Sequence, residues 1–323
     1  MPKRALITGI DGQDGYYLNR LLMEHGFETF GLNRKSVIDG RTGAELVPAS
    51  LSERASVRRV IADFAPDEIY HLAAYHGSSQ DSEAEDLCDS IEKSLMLHAI
   101  SVGWILEAAA ETGKQTRLFN ASSSLVFGHP ADVPQTENTP LNPICAYGLS
   151  KAAGMNVCRS YRDQRQVFAS SGILYNHESA RRRASYVSQK IVKTAVAIKH
   201  GQADRLVLGD LEAHVDWGYA PDYVEAMYMI LQLDHADDFI IASGRSNTVG
   251  DFVNEVFQFL ELETDGNVIE DPTLIKRTPK RDVLRGDSSK LRSVTGWQPK
   301  YSMPDIARAL VEAELSEIAG APA

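Results

Sequence analysis

An apolar run, Ala5-Leu6-Ile7-Thr8, closes at Gly9 and passes through Gly12 and Gly15 into a segment whose Leu18, Leu21 and Leu22 share one helical face before Gly26. A second apolar run, Thr29 to Leu32, follows at once. Strand, helix and strand in that order make a βαβ unit. Its two parallel strands need a crossover helix and a sheet covered on both faces. The alternation continues with a strand from Glu68 to Ala73, a helix ending near Ala110 and a strand from Arg117 to Ala121. A helix beginning near Tyr147 and a strand from Val167 to Leu174 complete it.

This pattern predicts an α/β chain: a Rossmann-type doubly wound parallel sheet with a smaller interleaved C-terminal substrate lobe. After Leu174 the pattern is less regular. A polar stretch, Asn176 to Ser185, precedes a helix at about 186–200, the run Leu206-Val207-Leu208 and a helical segment from Asp222 to Leu233. The dinucleotide-binding domain is placed at 1–175, with returns at about 211–236 and 270–288. The lobe takes 176–210, 237–269 and 289–323. A chain of 323 residues, 43% hydrophobic, suffices to bury both cores.

Charge narrows the partners. Against 33 basic residues stand 44 acidic ones, a net charge of −11, which opposes nonspecific binding to nucleic acid or an anionic membrane and requires a local basic pocket for any anionic ligand. The apolar stretch from Ala99 to Ala110 is shorter than the roughly 20 residues a membrane span needs. Met1-Pro2-Lys3-Arg4 runs straight into a strand, so the expected location is cytoplasmic. Cys88, Cys145 and Cys158 show neither disulfide nor metal spacing, and no metal is expected.

Glycines between a strand and a helix let the backbone approach a pyrophosphate, whose charge the exposed helix N–H groups stabilise. Gly9, Gly12, Gln13, Asp14 and Gly15 form this turn. Their spacing departs from Gly-x-Gly-x-x-Gly, but their position in the first βαβ unit points to a dinucleotide. The end of the second strand selects between cofactors, because an acidic residue there binds a ribose 2′-hydroxyl and basic residues accept a 2′-phosphate. Asn33-Arg34-Lys35 stands there, favouring NADP over NAD.

Tyr147 and Lys151 lie four residues apart at a helix start, on one face, with Ser123 at the end of a neighbouring strand. A phenol held near an ammonium ionises at modest pH and takes a hydroxyl proton while nicotinamide takes hydride from the carbinol carbon. Lys151 also reaches the cofactor ribose, and Ser123 holds the substrate oxygen. A lone Tyr-x-x-x-Lys arises often by chance. Its conjunction with Ser123 and the glycine turn is what carries the functional reading.

With these residues in view the chain resembles an extended short-chain dehydrogenase/reductase, and is most similar to the GDP-mannose 4,6-dehydratase family, over nearly its whole length. The resemblance rests on Ala5 to Gly15, Leu72-Ala73-Ala74, Ala121-Ser122-Ser123-Ser124 and Tyr147-Gly148-Leu149-Ser150-Lys151. Further matches are Gly172 to Ser179, Asp216-Trp217-Gly218 and Asp222-Tyr223-Val224-Glu225-Ala226-Met227. Asn176-His177-Glu178-Ser179 followed by arginines is the most specific of these. The resemblance implies that Ser123, Tyr147 and Lys151 form the oxidising triad, with Leu72, Ala73 and Ala74 beside the cofactor and Ser124 and Leu125 beside the sugar. It also implies that Asn176, Lys190 and Arg277 approach the diphosphate of a GDP-linked sugar, with Arg181, Arg182 and Arg183 as alternatives. A homodimer or homotetramer is implied too, through the helices ending near Ala110 and starting near Tyr147.

The sequence departs from the family where dehydration is done. A glutamate two residues after the triad Ser/Thr moves the proton at C5 and helps expel the C6 hydroxyl; here Leu125 occupies that place and can do neither. Val215 stands for an arginine before Asp-Trp-Gly, Arg277-Thr278-Pro279-Lys280 for Arg-x-x-Glu, and Ser50-Leu51 for an aspartate expected to meet adenine. Replacement acids or bases are sought in Asp81, Cys145, His177 and Glu178, although Asp81 and Glu178 read first as capping or solvated groups, Cys145 as a small packed thiol and His177 as a hydrogen-bonded structural residue. The expected function is an NADP-dependent nucleotide-sugar oxidoreductase or isomerase acting by C4 hydride transfer, giving epimerisation or a 4-keto/4-hydroxy interconversion. The alternatives are a 4,6-dehydratase with a relocated acid/base and, in another class, a non-catalytic NADP-binding regulator.

Overall fold

A computed structural model describes residues 1–33, 44–75, 86–275 and 284–320. Arg34, Lys35, Asp81 and the stretch Arg277 to Lys280 lie outside the described residues. Strands β1 (Arg4–Thr8), β2 (Glu28–Asn33), β3 (Glu45–Pro48), β4 (Glu68–His71), β5 (Arg117–Ser123) and β6 (Ala169–Leu174) alternate with helices. These are α1 (Gln13–Glu24), α2 (Arg54–Phe64), α3 (Leu87–Leu95), α4 (Ser101–Glu111) and α5 (Ala146–Arg165). Beyond them come β7 (Asn176–Glu178), β8 (Leu206–Leu208), β9 (His214–Val215), β10 (Trp217–Tyr219), β11 (Asp238–Ile241), β12 (Asn247–Thr248) and β13 (Val268–Glu270). The helices of that half are α6 (Val187–Lys199), α7 (Ala220–Leu231), α8 (Val249–Phe259), α9 (Ser289–Thr295) and α10 (Met303–Ile318).

Among the described residues seven strands form one parallel sheet in the order β11-β6-β5-β4-β1-β2-β3. Ala5, Leu6 and Ile7 are buried completely, because β1 lies mid-sheet with helices on both faces. On one face Leu18 and Leu22 of α1 pack with Ile230 and Leu231 of α7. On the other, Val57, Val60 and Ile61 of α2 meet Val102, Ile105 and Leu106 of α4. Each such side chain contributes about 1.5–3 kcal/mol on burial. β1 pairs with β2 on one side (Ile7↔Gly31) and β4 on the other (Ile7↔Tyr70), so the winding reverses at β1 and leaves a crevice at the carboxyl ends.

The lobe has its own core, built from Ile191, Val192 and Val196 of α6, Phe252 and Val256 of α8, and Ile306 and Leu310 of α10. Its boundary differs from the sequence reading. Residues 237–269 are expected in the lobe, yet β11 pairs in parallel with β6 (Ile240↔Ile173) and closes the edge of the main sheet. Likewise Leu291 and Trp297, inside the expected lobe segment 289–323, join the core of the main sheet. A short buried run reads the same in either core until its neighbours are known. Among the described residues no helix is long and apolar enough to cross a membrane, and no His/Cys/Asp/Glu group could hold a metal.

Candidate active site

A cleft of about 1150 Å³ opens at the carboxyl ends of β1, β4, β5 and β6 and is walled on the far side by the segment Asn176 to Tyr186. Its floor is the glycine turn. Gly9 adopts φ 75°, and a Cβ there would meet the Ala73 backbone at 2.9 Å. On Gly12 a Cβ would meet only Gly9 O, at 3.1 Å, so the backbone is bare toward the cleft. Gly12 caps α1 without a side-chain bond, which leaves first-turn N–H groups available to an anion. Gly15 serves packing: a Cβ would lie 2.5 Å from Ile10 Cα. Gly15→Ala is therefore expected to cost about 1–3 kcal/mol of stability and to abolish dinucleotide binding, as read by thermal melting and NADPH titration. Ser50 and Leu51 line the outer end of the cleft, and Leu72, Ala73 and Ala74 its side.

The β1 and β4 ends are tied by a buried chain. The Ala73 N–H donates to Thr8 Oγ1 at 3.1 Å, Thr8 Oγ1 hydrogen-bonds His71 Nδ1 at 3.0 Å, and His71 Nε2 reaches Leu97 O at 3.0 Å. Burial, then the nearby Lys151, pulls the His71 imidazolium down to about 4, so the ring is neutral here.

Ser123, Tyr147 and Lys151 converge in this cleft, and Ser124 and Leu125 share it. Ser123 ends β5 and caps the short turn Ser124–Phe127, its Oγ accepting the Leu125 N–H at 3.3 Å. Gly148 lets the first turn of α5 press on that turn, since a Cβ there would run into Leu125 O. Lys151, 2% exposed, donates from Nζ to Ala121 O at 2.7 Å and stands 5.5 Å from the centre of the Tyr147 ring.

The electrostatics correct one expectation. Burial pushes the Tyr147 phenol well above its ordinary range, with Tyr186 adding to the shift and Arg182 opposing it. Burial pulls the Lys151 ammonium down to about 7, against the pull of Asp14. Burial thus outweighs the nearby Arg182 and shifts the Tyr147 phenol toward its protonated form.

Of the candidate replacement acids and bases, Cys145 caps α5, its Sγ accepting the Gly148 N–H at 3.4 Å. Glu178 accepts from Ser188 Oγ at 2.5 Å, pairs with Arg182 at 3.5 Å and does not line the cleft. His177 borders the cleft, but its Nδ1 bonds Tyr175 O at 2.7 Å and its Nε2 bonds Asp14 at 3.0 Å, with the ring stacked on Tyr223 at 4.5 Å. All three are held as structural groups.

Gln13 and Asp14 line the cleft with the rest of the glycine turn, and their side chains in addition bind the segment after β6. Gln13 Nε2 donates to His177 O at 3.0 Å, and Gln13 Oε1 accepts from Ser179 Oγ at 2.8 Å. Burial works to raise the Asp14 carboxyl, but His177 and Gln13 outweigh it and hold it below the ordinary 3.8. Such a group contributes stability that is complete above the ordinary range and is lost as pH falls through the lower folded value. Asp14→Asn is accordingly expected to lose about 1–3 kcal/mol at neutral pH, with the gap to wild type closing in acid, as melting curves across pH would show.

Among the candidate substrate contacts, Asn176 is exposed at the cleft, whereas Lys190, on α6, is not among its lining residues. The basic wall is instead Arg181, Arg182 and Arg183. The Arg181 guanidinium sits 4.1 Å from the Tyr16 ring centre and that of Arg182 3.8 Å from Tyr186, flat aromatic supports that limit their freedom. Val215 lines the cleft too. Sequence reasoning missed His98, which packs edge-on to Tyr147 with centroids 5.3 Å apart, and the π-turn Met96–Ile100 that presents it. No residue pattern signals such a turn.

The GDP-mannose 4,6 dehydratase family model matches residues 6–310. The chain is similar to GDP-mannose 4,6 dehydratase 1 of Arabidopsis thaliana, at 34% identity over 97% of this chain and 90% of that protein. It is similar as well to GDP-mannose 4,6-dehydratase of Sinorhizobium fredii (strain HH103), at 32% identity over 98% of each. Among solved structures it shares its fold with RMD from Pseudomonas aeruginosa complexed with NADPH, with TM-score 0.78 and 20% identity over 98% of this chain and 99% of that one. UDP-glucose 4-epimerase of Thermotoga maritima with UDP-glucose gives TM-score 0.83 and 19% identity over 98% and 99%.

Proposed function

The chain belongs to the GDP-mannose 4,6 dehydratase family, and from that premise we propose that it interconverts hydroxyl and ketone at C4 of a GDP-linked hexose with NADP as cofactor. It is a nucleotide-sugar enzyme of the dehydratase and epimerase kind. The observation that carries the finer reading is the convergence of Ser123, Tyr147 and Lys151 in one cleft with Leu125 where the family has its glutamate.

The residues fit the cofactor. The bare backbone at Gly12 and the α1 N-terminus would hold the diphosphate, Ser50 and Leu51 the adenine, and Ala73 and Ala74 the side of the dinucleotide. Asn33-Arg34-Lys35, with no acidic residue, supports NADP over NAD. When bound, an oxidised nicotinamide supplies a hydride acceptor and a positive charge in the cleft. In its presence Tyr147, held toward its protonated form by burial, would give up its proton more readily. Tyr147 then takes the proton of the C4 hydroxyl, and Ser123 Oγ steadies the oxygen as it becomes a carbonyl. Lys151, with its ammonium near 7, tunes the phenol and reaches the ribose. Arg181 and Arg182 line the cleft and would pair with the substrate phosphates.

Leu125 cannot transfer a proton, and Cys145, His177 and Glu178 are engaged elsewhere. Chemistry confined to C4 fits this cleft: epimerisation through the ketone, or a net 4-keto/4-hydroxy change. A second reading, a 4,6-dehydratase with a relocated acid/base, is favoured by Asp11 and Glu92, carboxylates that also line the cleft. A non-catalytic NADP-binding regulator would have no use for the complete triad. Incubation with NADP⁺ or NAD⁺ and a panel of nucleotide sugars, followed by nicotinamide absorbance and product mass, separates these readings. Unchanged mass with inverted C4, or a two-hydrogen change, supports C4 chemistry; loss of one water supports dehydration; absence of any turnover supports the regulator. The family also supports a homodimer through the helices α4 and α5, near which Ile100 of the π-turn and Leu149 of α5 are exposed. Sedimentation is expected to give a dimer or tetramer, and a monomer at micromolar concentration would count against it.

A further inference from the structure

The helix formed by α3 and α4 is interrupted at Met96–Ile100 by a π-turn, a distortion that re-aims one or two side chains and concentrates at functional sites. Gly154 of α5 makes room for it, since a Cβ there would run into His98 O. The turn drives the His98 ring inward, where it is 0% exposed. The ring bridges two walls of the cleft. On one side the Tyr75 N–H donates to Nε2 at 2.9 Å, so Nε2 is an acceptor and the proton of a neutral ring sits on Nδ1. On the other side Nδ1 hydrogen-bonds Ser150 Oγ at 2.8 Å, and Ser150 Oγ–H donates to Tyr147 O at 2.8 Å. The donors and acceptors run in one direction, Tyr75 N–H to His98 to Ser150 to Tyr147 O. The ring edge meets Tyr147 at 82°.

We propose that His98 is a positioning residue for the Tyr147 chemistry: a neutral imidazole that ties the cofactor-side loop at Tyr75 to the first turn of α5, fixing where the phenol stands relative to the cofactor. This rests on the reading of Tyr147 as proton acceptor. The geometry explains why an imidazole suits the place. One donor and one acceptor must point in opposite directions from a rigid, uncharged ring, and a cation there would repel Lys151 and any positive charge on the cofactor. Thr8, His71 and Leu97 brace the same corner from below, so the π-turn, the β4 loop and the start of α5 are joined into one rigid unit.

The test compares wild type with His98→Ala, His98→Gln and Ser150→Ala, each first shown by circular dichroism to be folded. In His98→Ala, NADPH affinity and sugar KM are expected to stay within about threefold while single-turnover hydride transfer slows roughly 10–100-fold, the effect of a small misplacement of a reacting group. His98→Gln, which keeps a donor and an acceptor, is expected to recover most of the loss. Parallel losses in KM and NADPH affinity, with no rescue by Gln, would mark His98 as core packing and overturn the proposal. A second arm needs no turnover. Nitrogen NMR of the NADPH complex is expected to show a neutral Nδ1–H tautomer at His98. With ring-labelled tyrosine, the Tyr147 signals, assigned from Tyr147→Phe, are expected to shift in His98→Ala. If wild type turns over no nucleotide sugar, the proposed function falls while these spectra still decide the role of His98: a doubly protonated ring, or Tyr147 signals that do not move, contradicts it.

Discussion

Tyr147→Phe is expected to slow hydride transfer by about 10²–10⁴-fold, the usual worth of a positioned general acid/base, with NADPH affinity changed only a few fold. The substitution removes one oxygen and little else. The ring keeps its edge contact with His98 and its place beside Lys151, so the fold of the first α5 turn is retained. On the proposed reading the group lost is the one that takes the hydroxyl proton, and neither Cys145, a helix cap, nor His177, occupied by Tyr175 O and Asp14, is free to replace it. Single-turnover absorbance of the nicotinamide reads the rate directly. A variant retaining more than about a tenth of the wild-type rate would point to another proton acceptor.

Lys151→Met is expected to have two large and opposite effects. On the proposed reading, in which Lys151 tunes Tyr147, hydride transfer should fall about 10²-fold or more. Stability at neutral pH should rise by a few kcal/mol, because an ammonium pulled from 10.5 to about 7 by burial costs about 1.4 kcal/mol for each pH unit of that difference. Loss of the Nζ–Ala121 O bond offsets about 1 kcal/mol of the gain. The sign follows from proton uptake. Between about pH 7 and 10.5 the unfolded chain holds the Lys151 proton and the folded one does not, so wild type gains stability as pH rises through that window. The Met variant lacks that gain. Its advantage should be greatest below pH 7 and fade toward 10.5, as melting temperatures would show. A variant less stable than wild type at pH 6 would mean that the ammonium is better solvated than its burial implies. A stabilising change that removes function is expected where a site holds a costly charge for its chemistry.

What the chain shows in its sequence and what it hides divide along contact range. β1, the glycine turn and α1 were legible because strand, turn and helix are adjacent and each leaves a local pattern. Tyr147 and Lys151 were legible because one helical turn separates them. Ser123 needed only the end of a neighbouring strand. Long-range partners were not legible. Asp14 and Gln13 read as members of the glycine turn, but nothing in the sequence shows that His177 and Ser179 hold their side chains. Arg181 and Arg182, readable in the sequence either as phosphate contacts or as loop cations, stand in the cleft wall supported by Tyr16 and Tyr186. β11 carries no mark of which core it enters, because β6 alone decides it. His98 was invisible for a further reason: a π-turn shifts helical phase without a composition signal, so its inward aim appears only once α5 and Gly154 are in place.

The claim that a Tyr147-driven redox step at C4 is the core of the activity is tested most directly with GDP-mannose deuterated at C4, NADP⁺ and purified enzyme. The account predicts that in wild type deuterium passes from C4 to the nicotinamide, remaining there after net oxidation or returning to an inverted C4 in epimerisation, and that in Tyr147→Phe this transfer all but stops. Turnover in which the label never leaves C4, or undiminished label transfer by the Phe variant, would contradict it.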